Sequence, residues 1–419
     1  MVIERPLDWR TKGLPPSAEG LTGPEIGRLG LSLLAGDLMM PSAIIREEAL
    51  ADNIREMQAF ADRNGALLCP HGKTSMSPEL LRRQLEAGAW GITAATAHHV
   101  RVYRRLGIER ILLANQLVGR TDLDFVISEI ARDPSFDFFC LVDSADGAAL
   151  LVEAVERVAS ARPVQVLIET GLEGGRSGVR STAEALALAR AVAAQPRLAL
   201  RGVETFEGIR QARPDARLEA ADMIDLALIA AHDIAAEGLF AEGEVLISAG
   251  GSGFLDLCAA KLPGRIGGQP VRRVIRPGCY VTHDSGLYAR LTGPGGSRLP
   301  GLPKLEHALE VWGTVLSLPE PRLAIVGAGK RDLSYDVEPP RPLWVHRPPG
   351  EGPPNEATDM TVVAMWDQHL SLSAPDGRLA VGDLVGFGIS HPCATFDRWT
   401  ALLTVDGAHR VTGAVTTLF

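Results

Sequence analysis

The 419-residue sequence lacks a basic excess. Its 42 Lys and Arg against 51 Asp and Glu leave a net charge of -9, which argues against a nucleic-acid surface, where a positive field is expected. It also lacks any apolar run near the ~20 residues needed to cross a bilayer. Cysteine is scarce and scattered: Cys69, Cys140, Cys258, Cys279 and Cys393 show no C-x-x-C spacing. The polar opening Met1-Val2-Ile3-Glu4-Arg5 has no signal-peptide character, and an odd number of thiols then reads as reduced cysteine in the cytoplasm. Aromatics are only 5%, with 46% hydrophobic and 22% charged residues, an ordinary globular balance. No internal repeat or low-complexity tract stands out. At this length two domains are expected.

What is present is alternation. Short β-branched runs recur at Ser42–Ile45, Ala66–Cys69, Gly91–Ala94, Ile111–Ala114, Phe138–Val142, Val164–Ile168, Leu198–Val203 and Val245–Ser248. Helix-like segments such as Leu50–Arg63, Pro78–Ala87, Ala148–Ser160 and Ala183–Ala194 lie between them. Eight strand–helix units over this span predict a (β/α)8 barrel of about 250 residues, with an open doubly wound sheet as the rival. In a barrel, residues just after the strands face the active site. Beyond about residue 285 the texture changes. Gly and Pro cluster at 293–303 and 339–354, and strands are expected near Ala308–Leu316, Arg322–Val326, Thr361–Met365, Leu384–Phe387 and Leu402–Val405 without helices between them. The expected layout is a barrel over 40–285 and a smaller all-β domain from 1–39 and 286–419.

Several motifs fall where such a barrel places chemistry. His71-Gly72-Lys73-Thr74 follows the second run; there a buried, less basic lysine would be a nucleophile, and a solvated loop lysine is the alternative. Ser248-Ala249-Gly250-Gly251-Ser252-Gly253 follows the last run and precedes a helix, a pattern whose backbone N–H groups can close on a phosphate. Tyr280, in Arg276-Pro277-Gly278-Cys279-Tyr280, could reach the same phosphate. Arg176, beyond Glu169-Thr170-Gly171, could hold a cofactor oxygen or carboxylate. In the β region, His391-Pro392-Cys393 offers nitrogen and sulfur two residues apart, a pair suited to zinc; a chance pairing is the alternative, and His369 and Asp397 are weaker candidates. Gly327-Ala328-Gly329-Lys330 lacks the spacing of a nucleotide loop.

Taken in order, these segments resemble the D-serine dehydratase and D-threonine aldolase group of fold-type III, alanine racemase-like enzymes. The segments are Pro70–Thr74, Ile168–Gly171 with Arg176–Val179, Gly202–Gly208, Ser248–Gly253, Arg276–Tyr280, Gly327–Lys330 and His391–Cys393, spanning about residues 40 to 400. The resemblance implies a homodimer that uses pyridoxal phosphate and a divalent metal, zinc or else manganese. Lys73 would anchor the cofactor and then act as base on the substrate α-proton. His71, Arg176, Glu207, Ser248, Gly250, Gly251, Ser252, Gly253 and Tyr280 would contact the cofactor, and His391 and Cys393 would hold the metal. The implied substrate is a D-β-hydroxy amino acid. His-x-Cys is the dehydratase form of the pair and His-x-Asp the aldolase form, so β-elimination is expected, with aldol cleavage as the alternative. Two departures from the group stand out: Phe206 replaces a common tyrosine, which bears on contacts to the cofactor ring, and Ser75-Met76-Ser77 replaces a basic cluster; both could mean a substrate other than serine. A racemase would need a second acid/base such as Tyr103, Tyr280, Tyr288 or Tyr335. A non-catalytic cofactor-binding protein would lack the β domain.

Overall fold

A computed structural model describes residues 5–210, 215–292, 302–350 and 352–419. Residues 1–4, part of the polar opening, and most of the Gly/Pro cluster at 293–303 lie outside them. The described chain divides into two compact units. The first comprises Gln58–Lys73 and Gln84–Gly278; the second comprises the chain up to Met57, Thr74–Arg83 and Cys279–Phe419.

The first unit is the expected barrel of parallel strands: Ala66–Leu68, Ile92–Ala94, Arg110–Gln116, Asp137–Val142, Val164–Thr170, Leu198–Thr205, Val245–Ser248 and Gln269–Ile275. From Ile92–Ala94 onward each pairs with the next, and Gln269–Ile275 pairs back onto Ala66–Leu68. The ring closes where Trp90 N–H donates to Leu68 O at 2.7 Å and Thr93 N–H donates to Pro70 O at 2.8 Å. Leu112, Phe139, Leu141, Leu167, Leu246 and Val274 from five of the strands, with Cys69 just beyond the first, form one buried cluster. The alternate residues of the same strands, such as Ile111, Phe138, Cys140 and Val166, are buried too. Burial on both faces explains why these strands read as unbroken apolar runs. Hydroxyl caps start several of the helices: Thr96 accepts from His99 N–H, Ser144 from Gly147 N–H and Ser181 from Glu184 N–H, each satisfying an amide with no partner in the first turn.

One strand assignment is corrected. Ser42–Arg46 is not in the barrel; it lies in the second unit, antiparallel to Leu309–Glu320 and parallel to Ala401–Val405. The eighth barrel strand is Gln269–Ile275, which the sequence pattern did not mark. Its Pro270, Arg272 and Arg273 break the apolar run, but Arg272 pairs with Glu244 and Arg273 donates to Asn64 O at 3.0 Å. Long-range pairing decided both cases, and local pattern carries no information about it.

The second unit is the expected all-β body. Its sheet runs Asn355–Glu356, Arg341–His346, Leu384–Gly388, Leu309–Glu320, Ser42–Arg46, Ala401–Val405, Val411–Thr416. The long Leu309–Glu320 strand also pairs with Leu323–Val326, which continues to Leu370–Ser373 and Thr361–Met365. Ile45, Leu309, Val311, Val326, Leu370, Val385 and Phe387 belong to one core cluster, and Ile26, Leu33, Ile44, Trp312 and Val405 to another. No helix among the described residues is long and apolar enough to cross a membrane.

Candidate active site

In the first unit the chemistry-bearing residues gather at the C-terminal ends of the barrel strands, where a barrel of this type builds its site. Lys73 sits in the short 3-10 turn Gly72–Thr74 that follows the first strand. It is exposed, contrary to the expected burial, and its ammonium makes no hydrogen bond or ion pair to a described residue. The turn is pinned by the bridge of His71 to Thr93 and by Thr93 Oγ1 donating to Cys69 O at 2.6 Å. Gly72 is required here, because a β-carbon would run into the Tyr103 hydroxyl and Ile92. Two imidazoles flank the lysine electrostatically. Burial pushes His71 well below the usual histidine range, and the Lys73 charge adds to this. Burial, then His98 and Lys73, push His99 down to about 4. His99 was not foreseen; its Nδ1 accepts from Ala95 N–H at 3.3 Å and its ring stacks on Tyr103. Tyr103 is fully buried, and burial pushes its phenol upward.

Across the mouth lies a buried ionic cluster that sequence reasoning reached only in part. Arg276 donates to Ser248 Oγ at 2.7 Å through Nε and to Glu204 through a short contact, with Arg276 3% and Glu204 1% exposed. Burial pushes Glu204 up to about 7 despite the opposing Arg276 charge, and its Oε2 is buried without a partner among the described residues. Glu169, also buried, accepts from Ser177 Oγ at 2.9 Å and from Gln116 Nε2 at 2.5 Å. A register shift interrupts the strand pairing between Leu113 and Gln116, where that amide lies.

The glycine loop is arranged differently from the expectation of an open phosphate cradle. The Glu207 carboxylate accepts from Gly250 N–H at 3.0 Å and Gly251 N–H at 2.7 Å. Those two amides are therefore occupied by protein. Gly250 has φ +97°, and a β-carbon on Gly251 would meet the Phe206 ring at 2.8 Å, so both positions need glycine. The Ser252 and Gly253 amides, at partly exposed residues, make no hydrogen bond to described residues. Arg176 is exposed and lies over the Phe206 ring, 4.9 Å from its centroid, so Phe206 serves as a shelf for the guanidinium.

In the second unit His391 and Cys393 come together, each partly exposed. Cys393 Sγ donates to Thr74 Oγ1 at 3.4 Å and lies 3.9 Å from Cys279 Sγ. Hydrogen bonds from Cys279 and His391 hold the Cys393 thiol well below its usual range. Cys393 and then Asp336 raise His391 to about 9. His391 Nδ1 meets Asp336 Oδ2 at 2.6 Å, a partner the sequence did not suggest because it lies 55 residues away. Among the described residues no group of three or more His, Cys, Asp or Glu is arranged to hold a metal ion. Tyr280 is also in this unit, 2% exposed in the turn Cys279–Val281. His369 and Asp397 do not join the pair; Asp397 binds Arg398 at 2.9 Å.

The residues fit the implied groups. For pyridoxal phosphate, and among the described residues, a primary amine stands unpaired at the strand ends, His71 Nδ1 is a buried polar atom with no partner, and two loop amides remain open. For a divalent ion, imidazole nitrogen with thiolate sulfur is a zinc-type donor set.

Comparison with known proteins agrees. A family model described as "Alanine racemase, N-terminal domain" matches residues 45–256, and "Putative serine dehydratase domain" matches 308–405. The chain is 27% identical over 377 residues to a D-threonine aldolase from an Arthrobacter species, covering 88% of this chain and 89% of that protein. The crystal structure of D-threonine aldolase from Filomicrobium marinum is similar with a TM-score of 0.75 and 27% identity, over 94% of this chain and 98% of that one. D-threo-3-hydroxyaspartate dehydratase from Delftia sp. HT23 gives a TM-score of 0.72 and 26% identity, over 92% and 99%; a cysteine-to-alanine variant of that dehydratase is known in a metal-free form. The chain therefore belongs to the alanine racemase-like, fold-type III family, in the group that includes D-threonine aldolase and the serine dehydratase domain.

Proposed function

We propose that this protein is a pyridoxal phosphate- and divalent metal-dependent lyase that eliminates the β-hydroxyl of a D-β-hydroxy amino acid, releasing ammonia and a 2-keto acid. The observation that carries the reading is the meeting of His391 with Cys393 in the same chain that presents Lys73 unpaired at the barrel mouth. That a metal-free form is named for a variant of the similar dehydratase supports metal dependence in this reading. Zinc is the ion that the nitrogen and sulfur donors favour, with manganese as the alternative. A cytoplasmic homodimer is part of the same reading.

When bound, pyridoxal phosphate supplies an electron sink for charge on the substrate α-carbon, and a divalent ion supplies Lewis acidity toward the β-hydroxyl. The chain supplies the rest. Lys73 Nζ anchors the cofactor and, once freed, takes the α-proton. His71 and His99 stay neutral beside it, so neither adds positive charge to compete for that role. Ser252 and Gly253 offer amides to the phosphate, while Glu207 keeps the preceding turn closed. Arg276, itself steadied by Ser248 Oγ, holds Glu204 in place through one oxygen, leaving the other for a ring or substrate N–H donor. His391 and Cys393 hold the ion.

The test is a panel of D-β-hydroxy amino acids, with ammonia and aldehyde measured together, with and without chelator. Ammonia without aldehyde, stopped by chelator, is expected. Aldehyde with glycine favours the second reading, aldol cleavage, which the 27% identity to D-threonine aldolase over 88% of the chain supports. Turnover that survives chelation revives the racemase reading.

A further inference from the structure

In the second unit a short loop runs beside the donor pair and is tied to it by hydroxyl groups. Ser334 N–H donates to Thr395 Oγ1 at 3.1 Å, and His391 N–H donates to Ser334 Oγ at 3.0 Å. Ser390 Oγ donates to Glu338 O at 2.8 Å. Ser334 and Thr395 are fully buried, and Ser390 is 4% exposed. Between these ties Asp336 presents Oδ2 to His391 Nδ1 at 2.6 Å. The Asp336 side chain is 48% exposed, and a surface pair of that exposure would ordinarily be loose. Here the backbone on both sides of each partner is fastened, so the contact is built into the loop.

We infer that Asp336 is a positioning residue for the metal: it accepts the Nδ1–H of His391, fixes the imidazole tautomer and orientation, and leaves Nε2 to ligate the ion beside Cys393 Sγ. Metal-binding imidazoles commonly give their second N–H to a carboxylate, which raises ligand basicity and locks the ring. The need is acute with two protein ligands, because no third ligand holds the ring plane. Asp336 itself does not ligate in this arrangement, since its nearer oxygen is engaged by the N–H. The inference rests on the metal reading proposed above.

The experiment measures zinc affinity of the cofactor-loaded enzyme by competition with a chelator, for the wild type, Asp336→Ala, Ser334→Ala and His391→Ala. Asp336→Ala is expected to weaken zinc binding about 10–100-fold, with Ser334→Ala weaker in the same direction. The imine absorbance and the melting temperature in excess chelator should stay at wild-type values for Asp336→Ala, which separates positioning from general damage. Zinc affinity unchanged in Asp336→Ala overturns the inference. So does loss as complete as in His391→Ala together with changed ligand-field absorption of the cobalt-substituted enzyme, which would make Asp336 a direct ligand. If wild type and His391→Ala bind zinc equally, the metal reading itself has failed, and the Asp336 role falls with it.

Discussion

The two units solve the problem of holding polar groups in opposite ways. In the barrel, carboxylates and an arginine are buried almost completely and hydrogen-bonded: Glu204 through one oxygen to Arg276, Glu207 to two glycine amides, Glu169 to Ser177 and Gln116. In the β unit, His391 and Cys393 stay partly exposed and are steadied by neutral hydroxyls and one carboxylate. The first arrangement is rigid because any unmatched charge there would be costly. The second leaves its nitrogen and sulfur donors within reach of solvent. Stability should therefore be sensitive to the barrel network and function to both.

The largest effect should come from Lys73→Ala, which removes the imine absorbance of the bound cofactor and all turnover while leaving the fold intact. Absorbance that persists in the variant would move the anchor elsewhere. Next, Arg276→Met leaves Glu204 buried and unpaired and should cost about 3–5 kcal/mol, read as a lower denaturant midpoint. Cys393→Ala, by contrast, should lose metal and turnover with little change in stability. Equal destabilisation by the two variants would erase the contrast between the units. Glu207→Ala strands two loop amides and should cost about 1–3 kcal/mol, together with weaker cofactor binding. Glu207→Gln should recover part of it, because the amide oxygen can still accept one N–H.

The most gradual effect is a pH dependence. Burial, then the neighbouring His307, push His283 from 6.5 down to about 4. A depressed folded pKa means that the neutral imidazole contributes stability above pH 6.5, lost as pH falls toward 4. The stability of wild type relative to His283→Asn should thus fall over that window, by at most about 1.4 kcal/mol per pH unit. Asparagine is the chosen replacement because His283 has φ +50°, a conformation it adopts more readily than most residues. A flat difference would mean that the ring is already charged or solvated.

Much of this was legible from residues alone, for reasons that can be stated. Seven barrel strands announced themselves because burial on both faces makes continuous apolar runs. The family was legible because short motifs, those of Lys73 and His391–Cys393 among them, stand in a fixed order. What failed was anything set by distant pairing. Ser42–Arg46 has the look of a barrel strand with its helix, yet its partners are residues 309–312 and 403–405. Gln269–Ile275 hid its strand character behind charges that are matched only in the folded ring. Gly250 and Gly251 were read as phosphate donors because their tie to Glu207, over 40 residues away, leaves no local trace. Asp336 was silent for the same reason.

The threading of the chain has a consequence for synthesis and engineering. The chain enters the barrel at Gln58, leaves it after Lys73, and returns at Gln84, so no single cut releases either unit. During translation Ser42–Arg46 emerges long before Leu309–Glu320 and Ala401–Val405, between which it must lie. Its edges stay unpaired through most of elongation, exposed to wrong partners. Expression at lower temperature or with chaperones should raise the soluble yield more than trimming either end. A circular permutant opened in an exposed loop outside residues 42–84 would keep that double crossing intact.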